Sequence, residues 1–285
     1  MPQTVTYTYL DNLPLNLTYY PSLTTTIKPA ILYFHGGGLI YGQRDDLPIA
    51  YIHQLTAAGH PLITFDYPFV PEVRLRKLID CLSQGILWFY SEAQATFGLS
   101  SKLFYYFGRS AGAYLALLLT KNRSLPQPQG LILFYGYYDL RDPELTLPSS
   151  YYNKYPAPSF MTIQPLIKNP PLVSARIEER FPLYLAYRQT GQWGQEVLGR
   201  NQNLADFSLS NSELAQLPPS FLASSINDQD VPVRITQHMA QLIPDACLKL
   251  VDDLPHDFDA NSRNPLAQTI YANLISWLAS KNKGK

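Results

Sequence analysis

The hydrophobic pattern changes its period along the chain, and those changes mark out the elements. Residues Thr4 to Leu10 alternate, with Val5, Tyr7 and Tyr9 set against Thr4, Thr6 and Thr8, and Leu15 to Tyr20 alternates in a similar way. A period of two predicts strands with one face wet, here an antiparallel hairpin at a sheet edge. Ala30 to Phe34 is different: every position is apolar, which predicts a strand buried on both faces. Leu62 to Phe65, Leu103 to Phe107, Leu131 to Tyr135, Ser220 to Ala223 and Cys247 to Val251 are short, mainly apolar runs of the same kind. Helical periodicity separates several of them, over Ile49 to Ala58, Leu75 to Phe97 and Ser110 to Lys121, and a further helix over Pro265 to Ala279 follows the last run. Strands alternating with helices predict an α/β fold: a mostly parallel central sheet flanked by helices on both faces.

One interval breaks the rhythm. Between Tyr135 and Pro219 no core strand is legible. Pro148, Tyr151, Tyr152, Tyr155, Pro156 and Pro158 crowd its first half, and helices are predicted over Leu172 to Arg180, Pro182 to Thr190 and Trp193 to Leu198. So long an insert in a sheet protein reads as a helical cap over the active face, residues 137–217, within one domain spanning 1–285.

Composition narrows the class. Of 285 residues 46% are hydrophobic and only 15% charged, which suits a compact fold. The formal net charge of zero gives no reason to expect a nucleic acid or an anionic membrane as partner. No run approaches the length of a membrane span, and Met1 to Val5 lacks the start of a secretory leader, so a cytoplasmic protein is the expectation. Cys81 and Cys247 stand far apart and outside any C-x-x-C, which reads as buried free thiols. No ligand spacing or H-E-x-x-H suggests a metal site. Oligomeric state, a homodimer included, is left open.

The chemistry begins at Gly108-Arg109-Ser110-Ala111-Gly112, a G-x-S-x-G between an apolar run and a small-residue helix. A serine on so tight a strand-to-helix turn is pushed out above the strand ends, over a helix N-terminus whose free N–H groups face any developing negative charge. The bland alternative is a glycine-rich turn. His35-Gly36-Gly37-Gly38 directly follows Ala30 to Phe34, and consecutive glycines allow several backbone N–H groups to turn toward one ligand. No Gly-Lys-Ser/Thr follows, which argues against a phosphate loop and for an oxyanion hole. A serine nucleophile needs a base, and the base needs an acid. Asp228 and Asp230 both follow the run Ser220 to Ala223, and Asp139 follows Leu131 to Tyr135, so each is a candidate acid; Asp228 and Asp230 could equally cap the next helix. His53, His60 and His238 fall in or at the end of predicted helices, whereas His256 lies in a loop after the last apolar run.

Taken together, His35-Gly36-Gly37-Gly38, Asp66-Tyr67-Pro68-Phe69-Val70-Pro71-Glu72 and Gly108-Arg109-Ser110-Ala111-Gly112 resemble the α/β-hydrolase fold family. They are most similar to its HGGG-type esterase branch, related to hormone-sensitive lipase. That branch carries a D-Y-R-L-A-P-E type segment; here proline stands for the arginine and valine for the alanine. The resemblance runs from about residue 20 to 280 and is weakest in the cap. It implies oxyanion donors at Gly37, Gly38 and Ala111, and makes His35 a structural residue at the loop base. It also implies His256 as base and, through a D-x-x-V-P pattern, Asp228 rather than Asp230 as acid.

The expected activity is that of a serine carboxylesterase. Ser110 attacks an ester carbonyl, His256 moves the proton and Asp228 orients the imidazole, with no cofactor. The expected substrate is a small, rather apolar ester, with Tyr41, Tyr151, Tyr152, Phe181 and Trp193 as pocket walls. The same triad could instead serve an arylformamidase, a peptidase or a thioesterase. A non-catalytic ligand-binding protein of this fold is the alternative from another class.

Overall fold

The computed structural model describes residues 1–199 and 201–282. Eight strands form one sheet: β1 (Gln3–Leu10), β2 (Leu13–Tyr20), β3 (Ala30–Phe34), β4 (Leu62–Phe65), β5 (Phe104–Arg109), β6 (Leu131–Phe134), β7 (Ser220–Ser225) and β8 (Ala246–Val251). Their spatial order is β1-β2-β4-β3-β5-β6-β7-β8. β1 and β2 pair antiparallel, as does β2 with β4, and every later pair is parallel.

The continuously apolar strands separate their side chains between two cores, as a period of two requires. In β3, Ala30, Leu32 and Phe34 enter one cluster while Ile31 and Tyr33 enter the other; in β5, Phe104 and Tyr106 part in the same way from Tyr105 and Phe107. Helices α1 (Ile49–Ala57), α2 (Leu75–Phe97) and α3 (Ala111–Lys121) follow β3, β4 and β5. The edge strand departs from the expected alternation. The register slips between Thr6 and Thr8, so Tyr7 is buried while Tyr9 is 64% exposed. A bulge inserts one residue and sends the next side chain to the opposite face.

Between β6 and β7 the chain forms short helices: α4 (Pro143–Thr146), α5 (Phe160–Ile163), α6 (Ile177–Thr190), α7 (Trp193–Leu198) and α8 (Asn211–Leu214). Two of the predicted helices are in fact one. The stretch from Leu172 to Arg176 is extended, because its backbone pairs with the body of the fold. Leu172 O accepts from Phe69 N at 2.9 Å, and Ala175 exchanges bonds of 2.8 and 3.0 Å with Gly42. The helix then starts at Ile177 and runs through Pro182, which lies in its second turn. After β7 come α9 (Val233–Leu242) and, following β8, α10 (Pro265–Lys281). Cys81 is buried and Cys247 only half-buried; both are free thiols. No helix among the described residues is long and apolar enough to cross a membrane.

Candidate active site

The parallel strands β3, β5, β6, β7 and β8 all end at the same edge of the sheet. The order β4-β3-β5 makes β3 the point where successive connections diverge, and ligands of open α/β sheets bind in the crevice at such a point. The glycine loop follows β3 and the serine turn ends β5, so the two flank that crevice.

Ser110 sits at φ 53°, ψ −121°, in the positive-φ region, immediately before α3. A non-glycine residue there carries strain of about 1–3 kcal/mol, sustained by its surroundings. The neighbouring glycines are needed for close approach. A Cβ at Gly108 would lie 2.2 Å from the Gly112 backbone, and one at Gly112 would lie 2.0 Å from Phe34 O. Strand and helix can therefore meet at this turn only without those side chains.

His256, on the loop after β8, places Nε2 2.8 Å from Ser110 Oγ and Nδ1 2.6 Å from Asp228 Oδ2. The other carboxylate oxygen of Asp228 accepts from the backbone N–H groups of Asp230 (2.9 Å) and Val231 (2.8 Å), which locks the carboxylate in place. Asp228 thus faces the imidazole, while its capping role is confined to its own turn. Asp230 has a different function: Tyr184 donates to both of its oxygens, at 2.9 and 3.0 Å, and Arg188 of α6 pairs with it. It still lies 3.8 Å from His256 Nε2. Asp139 is held by Arg141, two residues on, and takes no part.

Burial works to lower the proton affinity of His256, but it is outweighed. The facing Asp228 carboxylate and its hydrogen bond, with Asp230 and Asp257 behind it, raise the pKa to about 9. Asp230 itself is held below the usual carboxylate range: burial opposes ionisation, and Arg188, His256 and the Tyr184 hydroxyl prevail.

In the glycine loop, Gly37 and Gly38 adopt φ of 94° and 58°, and both line the cavity that holds Ser110. Ala111 is the first residue of α3, so its N–H has no acceptor within the helix. His35 is fully buried at the base of this loop. Its ring stacks on Tyr67 with centroids 4.1 Å apart, and the Tyr67 hydroxyl lies 3.0 Å from its Nδ1 and 2.9 Å from its carbonyl oxygen. Burial lowers its pKa. The Asp-Tyr pair after β4 thus braces the loop: Tyr67 holds His35, and Asp66 is fixed by Arg44 at 2.7 Å.

The cavity has a volume of about 380 Å³. Tyr41, Tyr151, Tyr152 and Phe181 line it, as does Tyr155. Trp193 does not: it is buried behind the glycine loop, and its Nε1–H donates to Gly38 O at 3.0 Å. The indole supports that loop and forms no wall, because its one polar atom is committed to the Gly38 carbonyl. The lining also contains Asp46, Arg109, Asp230 and Asp257. Sequence reasoning missed the Arg188–Asp230 and Arg180–Glu72 pairs, since nothing local links residues 42 and 108 positions apart.

A family model described as the α/β hydrolase fold matches residues 31–168. A solved protein of unknown function from Staphylococcus aureus subsp. aureus Mu50 is 31% identical, with 98% of each chain covered and a TM-score of 0.84. An α/β hydrolase superfamily protein from Enterococcus faecalis is 29% identical, again over 98% of each chain, with a TM-score of 0.82. Among curated proteins, a non-reducing polyketide synthase, adrD, of Penicillium rubens is 31% identical over 149 residues. That match covers 48% of this chain and 6% of that much longer protein. The family match, the full-length likeness to a member of the superfamily and the eight-stranded, mostly parallel sheet together give the chain the α/β-hydrolase fold.

Proposed function

We propose that the protein is a serine carboxylesterase acting on small esters through an acyl-enzyme on Ser110. The observation that carries this reading is the unbroken hydrogen-bonded series Asp228–His256–Ser110, with contacts of 2.6 and 2.8 Å at a strained turn. In the first half-reaction Ser110 Oγ attacks the carbonyl carbon while His256 Nε2 takes its proton. The tetrahedral oxyanion is held by the N–H groups of Gly37, Gly38 and Ala111. The imidazolium, stabilised by Asp228, then protonates the departing alcohol. In the second half-reaction the same base activates water against the acyl-enzyme. Each oxyanion donor is worth about 3–4 kcal/mol to such a transition state. The cavity volume of about 380 Å³ lies at the small end for ligand sites and supports short acyl and alcohol groups. Complete assembly of the triad favours catalysis over mere ligand binding.

The test is hydrolysis of p-nitrophenyl acetate, butyrate and octanoate by wild type and by Ser110→Ala. Wild type is expected to turn over the short esters, and the variant, folded by circular dichroism, to lose at least about a thousandfold in kcat. Activity retained by the variant would overturn the assignment. A wild type inert on esters but active on matched anilides or thioesters would move the reaction to the amide or thioester class.

A further inference from the structure

A second buried polar cluster connects the two halves of the triad, and the proposed reaction makes no direct use of it. Arg109, the residue before Ser110, donates from Nη2 to Asp259 Oδ1 at 2.9 Å and from Nε to the Tyr135 hydroxyl at 2.6 Å. Tyr135 donates its own O–H to the same Asp259 oxygen at 2.6 Å. Tyr271 of α10 donates to the other, Oδ2, at 2.7 Å. Asp259 is fully buried and stands three residues after His256. The Tyr135 ring also meets the His256 ring edge-on, with centroids 4.7 Å apart. The cluster therefore ties the backbone next to the nucleophile to the loop that carries the base.

We propose that Asp259, with Arg109, Tyr135 and Tyr271, is a positioning network that sets the approach of His256 Nε2 to Ser110 Oγ. The inference rests on the reading of Ser110 and His256 as a catalytic pair. Two physical arguments carry it. First, the segment between β8 and α10 is irregular, so it has no backbone ladder to fix it, whereas proton transfer needs the two atoms within hydrogen-bond reach. Asp228 restrains the ring itself; Asp259 restrains the chain on the far side of it. Second, a buried ion pair is a poor means of gaining stability, since apolar residues of similar volume do as well or better. Its geometric precision is what apolar packing would not supply. The three donors engage both oxygens of the Asp259 carboxylate and define its position from β5, from the end of β6 and from α10 at once.

Two variants test this. Asp259→Asn keeps the shape and removes the charge. Tyr271→Phe removes a single hydroxyl and keeps the ring, which stacks on Tyr51 at 3.5 Å outside the cavity. If the network positions the base, kcat falls by roughly 10- to 100-fold in Asp259→Asn and several-fold in Tyr271→Phe, with KM unchanged. The low-field proton resonance of His256 Nδ1–H broadens or shifts in both, and phosphonylation of Ser110 by an aryl phosphonate slows in parallel. A purely structural role predicts a lower Tm with wild-type kcat and an unmoved resonance in folded Tyr271→Phe, and that result would overturn the proposal. Should Asp259→Asn not fold, Tyr271→Phe decides alone. The resonance and the phosphonylation rate need no ester turnover, so failure of the carboxylesterase reading would be distinguished from failure of this one.

Discussion

Under the proposed function, His256 is surrounded by more negative charge than the task of a base requires. With its pKa raised to about 9 by Asp228, Asp230 and Asp257 against the opposing effect of burial, the free enzyme holds the imidazole protonated at neutral pH. Only the neutral ring can take the serine proton, so kcat/KM is expected to climb with pH toward about 9, well past the ordinary histidine range. In Asp230→Asn one of the raising charges is gone and Arg188, left with Glu144 at 3.5 Å, is less neutralised nearby; both effects move the ascending limb to lower pH. A kcat/KM–pH profile that stays in place in this variant would show that Asp230 does not act on the ring. Stability has the opposite sign. A histidine whose folded pKa exceeds its unfolded value of 6.5 stabilises the fold fully below pH 6.5, and that contribution is lost as pH rises through about 9. Wild type should therefore lose Tm across this window relative to His256→Gln, which has no such proton to release.

At the scale of elements, the groups of the candidate site are held by contacts between segments remote in sequence. Trp193, at the start of α7, donates to Gly38 O and so keeps the glycine loop in register with Ser110. Trp193→Phe keeps most of the buried ring but leaves that carbonyl without its donor, at a cost of about 1–3 kcal/mol. We expect kcat on p-nitrophenyl butyrate to fall about tenfold with KM little changed, because a displaced loop misdirects its N–H groups in the transition state rather than the ground state. An unchanged kcat would reduce Trp193 to a packing residue.

For the whole molecule, the question is how the helical segment stays on the sheet. Arg180 and Arg188, two turns apart on α6, reach two different segments of the body of the fold. Arg180 forks onto Glu72 with bonds of 2.6 and 2.9 Å and donates to Val70 O at 3.0 Å, while Arg188 pairs with Asp230. Both side chains of the Arg180–Glu72 pair are 2% exposed. Arg180→Met leaves Glu72 buried without its partner and should cost about 3–5 kcal/mol in denaturant unfolding; adding Glu72→Leu should recover most of it. A single variant as stable as wild type would mean that this pair does not hold the segment in place.

Much of this architecture was legible because it depends on local rules. Uninterrupted apolar runs as short as Ala30–Phe34 read as strands buried on both faces, and their alternation with helical periods points to a mostly parallel sheet. Glycines at 108 and 112 announce a turn too tight for any Cβ, and the glycines after His35 announce a backbone turned toward a ligand. These features give the fold class and point to Ser110 as the candidate nucleophile, because backbone sterics and hydrophobic period act between near neighbours. The tertiary structure alone decided the rest. Pro182 signals a break that α6 does not make: Leu183 and Tyr184 are buried beside it, and Arg180 and Arg188 are anchored on either side. The resemblance pointed to Asp228 as the partner of His256; only folding showed that Asp230 pairs with Arg188 and that Trp193 supports the glycine loop instead of lining the cavity. Such assignments depend on hydrogen bonds and charges between segments up to 155 residues apart, and no periodicity in the chain encodes a contact at that range.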